Sequence, residues 1–287
     1  MTKLLLALVL SMPAAAALPA APAVRVLPRP ADSVFPATEK LLGEAADPLE
    51  SLATGEELRD SLNSRPTSEA LLKGLRDRSV AVRLAAVRFA AYPKDVSAIP
   101  SLSGVMLRLD QPSTLRAAAA LALGRIGDRI AVGALSEALK DPAPEVRYAA
   151  ALSLGRLPAD GVATRLERTL RDDPVWQPRY AAAIALGRTR KAFTAEALAD
   201  ALGSDPAWQV RQQAARSLQD LGTAHAAAAL ASALNDPEPS VRAAAGAGLA
   251  EIGESEQRRA VTLALRDETD PSVRAVLALA ERRASLR

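Results

Sequence analysis

Cysteine is absent from the 287 residues, and histidine occurs once, at His225. The first absence excludes a disulfide, a thiolate nucleophile, an iron–sulfur cluster and any cysteine-based zinc site. The second excludes a metal site built on a histidine pair. Aromatic side chains are scarce too, with 2 Trp, 3 Tyr and 3 Phe. Valine and isoleucine are few beside alanine and leucine, which weakens any case for a sheet. Neither sign of charge dominates: 36 Lys+Arg face 33 Asp+Glu, for a net charge of +3. A dedicated nucleic-acid binder usually carries a clearer basic excess. No apolar run approaches the ~20 residues that a membrane span requires.

What the chain has in quantity is alanine and leucine, 64 and 43 residues, over a third of the total. Both are strong helix formers, so the composition predicts an all-α protein. The charged content of 24% is balanced and the apolar content high, so the chain can build a packed structure.

The N-terminus carries an address. Lys3 supplies a positive charge, Leu4 to Leu10 is an unbroken apolar run, and Ala15-x-Ala17 offers small residues at a cleavage position. That layout predicts a secretory signal peptide over 1–20, cleaved within 17–23, and a periplasmic or extracellular protein. Residues 21–36 contain Pro22, Pro28, Pro30 and Pro36, which favours an extended tail. Residues 37–66 read as a helical N-terminal cap.

From residue 67 the sequence repeats. Short stretches ending in arginine recur: RDRSVAVR at Arg83, LDQPSTLR at Arg116, KDPAPEVR at Arg147, DDPVWQPR at Arg179, SDPAWQVR at Arg211, NDPEPSVR at Arg242 and ETDPSVR at Arg274. The steps between these arginines are 33, 31, 32, 32, 31 and 32 residues. An aspartate stands six residues earlier in six units: Asp77, Asp110, Asp141, Asp173, Asp205 and Asp236. In the seventh, Asp270 stands only four residues before Arg274.

Let the residue before each arginine be position 0. Apolar or small residues then recur at 0, 3, 4, 7, 8 and 11, for example Val146, Ala149, Ala150, Ser153, Leu154 and Leu157. This is one face of an α-helix. A second helical stretch precedes each aspartate, as in AVGALSEALK. Each unit is therefore expected to be two antiparallel helices joined by an Asp-Pro turn, with proline as the first helical residue and aspartate as its cap. Gly127, Gly222 and Gly253 stand where helices should end. One unit cannot bury its own apolar face, so the seven must stack over 67–287. In the last unit Glu281, Arg282 and Arg283 replace apolar residues, as a polar cap would.

The pattern D-P-x-x-x-V-R-x-A-A-x-x-L-G-x-I/L, repeated in register, resembles the HEAT-repeat family, in the short form also found in phycobilisome lyases. The resemblance implies a right-handed α-solenoid of about seven two-helix repeats. It also implies that Asp77, Arg83, Asp110, Arg116, Asp141, Arg147, Asp173, Arg179, Asp205, Arg211, Asp236, Arg242 and Arg274 form a structural ladder along the stack. An arginine in the first turn of a helix opposes the helix dipole, and the aspartate six residues back can supply a compensating carboxylate.

Positions 2, 6, 9 and 10 point away from the repeat core and are expected to line a concave surface. Position 10 holds Arg125, Arg156 and Arg188, then Asp220 and Glu251; position 6 holds Leu121, Leu152 and Ile184; position 2 holds Tyr148 and Tyr180. Trp176 and Trp208 recur near the edge of that surface. Rigid aromatics and arginines are favoured at binding hot spots.

Catalytic patterns are lacking. There is no Gly-Lys dipeptide for a P-loop and no G-x-S-x-G, and Gly246-Ala-Gly248 lacks the third glycine of a dinucleotide fingerprint. The Asp267, Glu268, Asp270 cluster lacks the spacing of a calcium loop. Relatives with deoxyhypusine hydroxylase activity use His-Glu pairs for iron, absent here, while DNA-glycosylase-like and lyase-like roles conflict with export. The expectation is a non-enzymatic exported scaffold or adaptor, monomeric, without cofactor, metal or nucleic-acid partner, binding a protein on its concave face. A regulatory or lyase-like accessory subunit acting on a partner protein, or a weak nucleic-acid binder, is the alternative.

Overall fold

The computed structural model describes residues 68–91, 96–159, 161–252 and 255–285. The expected signal peptide over 1–20, the expected extended tail over 21–36, the expected helical cap over 37–66 and Gly253 lie outside them.

Among the described residues there are fourteen α-helices and no strand. In chain order they are α1 (Ser68–Gly74), α2 (Val80–Ala91), α3 (Ile99–Leu107), α4 (Ser113–Ile126), α5 (Val132–Ala138), α6 (Pro144–Leu154) and α7 (Val162–Asp172). Then follow α8 (Trp176–Thr189), α9 (Ala195–Ser204), α10 (Trp208–Leu221), α11 (Ala224–Ala233), α12 (Pro239–Ile252), α13 (Ser255–Asp267) and α14 (Pro271–Ser285). Each odd helix pairs with the even helix after it, giving seven repeats. Even helices pack side by side in one layer and odd helices in the other. The chain is an all-α solenoid, and one apolar cluster runs through it from Leu71 to Ala280.

The helical face read from the sequence is the buried one. Val146, Ala149, Ala150, Ser153 and Leu154 are fully covered, and Leu157 is 7% exposed. Gly127 and Gly222 end α4 and α10 with φ of 78° and 60°, and each donates its N–H to the carbonyl four residues back. That left-handed conformation is easy only for a residue without Cβ.

The turns differ from the expected capping. Asp141, Asp173 and Asp205 stand three residues before the first helical residue, and the helices they precede have no side-chain cap. Their Oδ1 instead accepts from the N–H two residues on: Ala143 at 2.8 Å, Val175 at 3.0 Å and Ala207 at 2.8 Å. This is an Asx turn, which shapes the corner itself. Only α14 begins as expected. Pro271 is its first residue, and Asp270 Oδ1 accepts from Ser272 and Val273 N–H at 2.8 and 3.0 Å.

The ladder exists, with a different partner. Arg179 does not meet the carboxylate six residues before it; its Nη1 donates to the backbone carbonyl of Asp173 at 2.9 Å. Its Nε and Nη2 grip the carboxylate of Asp205, in the next repeat, at 2.7 and 2.8 Å. The same bidentate grip joins Arg116 to Asp141, Arg147 to Asp173, Arg211 to Asp236 and Arg242 to Glu268. Each rung staples one repeat to the next. The hydrogen bonds to Asp205 hold the Arg179 guanidinium above its ordinary pKa, against the opposing effect of burial.

Both ends of the ladder depart from the sequence pattern. Arg83 and Asp110 do not pair: Arg108 takes Asp110 bidentately at 3.1 and 2.6 Å, and Arg83 Nε has no hydrogen-bond partner. The step from Arg83 to Arg116 is the longest, which carries Asp110 one residue out of register. At the other end the rung carboxylate is Glu268, six residues before Arg274, while Asp270 serves as the cap. Among the described residues Arg274 has only carbonyl partners, at Leu265 and Glu268.

Hydrogen bonding from Arg242, above all, holds the Glu268 carboxyl below its ordinary pKa. A depressed carboxylate stabilises the fold fully above its unfolded value, about 4.3, and loses that contribution as pH falls through the folded value. Glu268→Gln is therefore expected to lower the urea midpoint at pH 7, and its difference from wild type should shrink as the pH drops below about 4. A difference that stays constant down to pH 2.5 would contradict the pairing.

Candidate functional site: the concave helical face

The even helices approach one another closely, and position 9 is the reason. A Cβ placed on Gly124 would lie 2.5 Å from the Ser153 side chain, one on Gly155 2.6 Å from the Ala185 backbone, and one on Gly187 2.6 Å from Ser217. Position 9 therefore does not line the concave face as expected; it faces position 7 of the next even helix. The odd layer is looser and leaves a cavity of about 680 Å³ between α5 and α7, walled by Ser136, Arg165 and Thr169. The tighter layer follows the shorter arc, so the even helices form the inner, concave side.

On each even helix, positions −2, 2, 6 and 10 recur every fourth residue and share one face. On α8 these are Trp176, Tyr180, Ile184 and Arg188; Trp176 meets Tyr180 edge-on, with ring centroids 6.2 Å apart and planes at 82°. On α6 they include Tyr148, Leu152 and, just past the helix end, Arg156; on α4, Leu121 and Arg125. On α10 they are Trp208, Gln212, Arg216 and Asp220.

Burial separates the residues expected in the groove. Leu121, Tyr148 and Tyr180 are buried, at 6%, 2% and 8% exposure, because the neighbouring even helices close over them. They support the face from beneath. Leu152, Ile184, Trp176 and Trp208 are half-buried against the core and present part of their surface. Arg125 is half-buried, while Arg156 and Arg188 are exposed.

The three arginines stand in a row at the ends of consecutive even helices. Solvent reaches Arg156, yet surrounding protein atoms make desolvation the largest influence, lowering its pKa from the ordinary value; Arg188 and then Arg125 push it the same way. Such repulsion acts only between charges near one another. All three lie at or just past helix C-termini, where a cation is favoured. Arg156 and Arg188 have no hydrogen bond or ion pair among the described residues. A cavity of about 410 Å³ opens between them, walled also by Pro158, Val162, Thr189 and Lys191. Sequence reasoning missed this cavity, since it forms where two inter-repeat turns meet.

The other residues singled out in the sequence divide between structural partners and solvent. Glu268 and Asp270 are occupied by Arg242 and by backbone amides. His225 is exposed at the start of α11, beside the Thr223 cap. Glu281 accepts from the Thr262 hydroxyl at 2.7 Å, and Arg282 is exposed. Among the described residues no three His, Cys, Asp or Glu side chains cluster as a metal would need, and no helix is long and apolar enough to cross a membrane.

The family of HEAT repeats matches residues 104–187 and 195–280, more than half of the chain. No curated protein matches it. Among solved structures, the Escherichia coli protein YibA is similar at 16% identity over 91% of this chain and 100% of that one, with a TM-score of 0.57. The complex of phycocyanin lyase subunits from Nostoc sp. is similar at 23% identity over 76% of this chain and 94% of that chain, TM-score 0.47. Human deoxyhypusine hydroxylase is similar at 24% identity over 89% and 97%, TM-score 0.40. The likeness to YibA, the one of these three with a TM-score above 0.5, speaks for the fold alone.

Proposed function

Because the chain belongs to the HEAT-repeat family, we propose that it is an exported, non-enzymatic scaffold or adaptor that binds another protein along the concave face of its even helices. The observation that carries this reading is the face on α6, α8 and α10. Half-buried Trp176, Ile184, Leu152 and Trp208 share this face with exposed Arg156 and Arg188, which have no carboxylate partner among the described residues. Partly exposed aromatic and aliphatic surface rimmed by arginine is the composition of an interface centre. Export is supported by the Lys3, Leu4 to Leu10 and Ala15-x-Ala17 layout. A binding role fits a chain that has no thiol for a nucleophile and only one imidazole, at the exposed His225, for a general base.

Two measurements test it. Residues 1–23 fused to a periplasm-dependent reporter should direct export; a reporter retained in the cytosol would remove that part of the proposal. Affinity capture from the periplasm should recover a partner with the wild-type chain and lose it with an Arg125/Arg156/Arg188→Glu variant of unchanged helicity and melting point. Equal recovery by both would move the binding surface off this face.

A further inference from the structure

Position 10 changes sign along the stack. Arg125, Arg156 and Arg188 occupy it in the second, third and fourth repeats, and Asp220 and Glu251 in the fifth and sixth. Asp220 and Glu251 are exposed, as are Arg156 and Arg188. The stack thus places a cationic half-row and an anionic half-row on one edge of one face. Adjacent helices stand about 9 Å apart, so the cationic half spans roughly 20 Å and the whole row roughly 35–40 Å.

Three observations define the occupant. Arg156 is crowded by two like charges and has no carboxylate among the described residues, so an incoming anion relieves a repulsion already present. The cavity between Arg156 and Arg188 has apolar walls at Pro158 and Val162, room for a carboxylate on a short aliphatic stem. The reversal at Asp220 then repels anything uniformly anionic, such as a nucleic-acid strand, beyond the fourth repeat.

Resting on the reading of this face as a protein-binding groove, we propose that it recognises an extended, charge-segregated segment of the partner. A run of about six acidic residues lies along Arg125, Arg156 and Arg188, with a glutamate side chain in the cavity between Arg156 and Arg188. Basic residues follow along Asp220 and Glu251. An extended strand advances about 3.3 Å per residue, so about 11 to 12 residues cover the row and a 15-residue peptide spans it with a margin. The segregation fixes which way the segment lies, since the opposite placement sets like charges against each other at every repeat.

Fluorescein-labelled 15-residue peptides test this against the full exported chain. One set joins a glutamate block to a lysine block, in both chain directions. A second scrambles the same composition, a third is uncharged and carries tryptophan and leucine, and a 15-nucleotide single-stranded DNA completes the series. At low salt a block peptide is expected to bind at least tenfold tighter than its scramble and than the DNA. Arg156→Gln/Arg188→Gln should reduce that preference at least tenfold, and Arg156→Lys/Arg188→Lys should largely retain it. Equal binding of block and scramble, or tighter binding of DNA, overturns the proposal. If only the uncharged peptide binds, the groove reading stands and the charge pattern falls; if no peptide binds, both fall.

Discussion

Replacing Arg179 with alanine is expected to destabilise the solenoid by about 3–5 kcal/mol, among the largest effects available to a single substitution here. The reason lies in what remains. Asp205 is 8% exposed and keeps one hydrogen bond, from the Ala207 N–H, once the bidentate grip of Arg179 is gone. A buried carboxylate with most of its partners removed carries the full cost of its desolvation. Arg179→Ala also unstitches the corner, since the same guanidinium holds the Asp173 carbonyl. A double variant, Arg179→Met with Asp205→Leu, removes both charges and should recover much of the loss, because a buried pair contributes little net stability over an apolar replacement. Urea unfolding of the two variants checks this. A single variant costing under 1 kcal/mol would mean that the rung is decoration.

Leu154→Ala is expected to cost about 2–5 kcal/mol, through the cavity it opens in the middle of the stack. Leu154 has no exposed surface, and its helix packs between the alanine-rich α4 and α8, whose short side chains cannot collapse into a gap. Repeat arrays gain their stability from nearest-neighbour contacts, so the loss should weaken the third repeat and its two interfaces most. Hydrogen exchange should show amides of α6 and α8 exchanging faster than those of α12. Uniform acceleration across all repeats would instead indicate a single cooperative unit.

The stack was legible in the sequence because its driving force is periodic. The 0, 3, 4, 7, 8, 11 pattern names the face that must be dry, and Val146, Leu154 and Leu157 are dry. The rungs were less legible, because sequence spacing draws the eye to the aspartate six residues back. Closing Arg147 onto Asp141 inside one turn would have left Asp173 of the next repeat without a partner. The bidentate grip across the interface satisfies both, at the price of a separation of 26 residues. Glu268 was overlooked because the Asp270-Pro271 dipeptide resembles the earlier turns, yet only a carboxylate at the sixth position reaches Arg242. Position 9 was misplaced for a similar reason: on one helix it points away from the partner in its own repeat, and only stacking shows that Gly155 meets Ala185. The concave face was half legible. Its arginines and tryptophans could be placed by counting, whereas the burial of Tyr148 and Tyr180 depends on how tightly the even helices close.

The concave face of the even helices is the proposed place where this protein meets its partner. Site-specific photo-crosslinking in living cells tests it most directly, with the photoreactive residue at Ile184 on the concave side or at Thr164, exposed on the convex side. A discrete cross-linked species is expected from Ile184 and none from Thr164, with loss of the Ile184 species when Arg156 and Arg188 are replaced by glutamate. A species from Thr164 alone would contradict it.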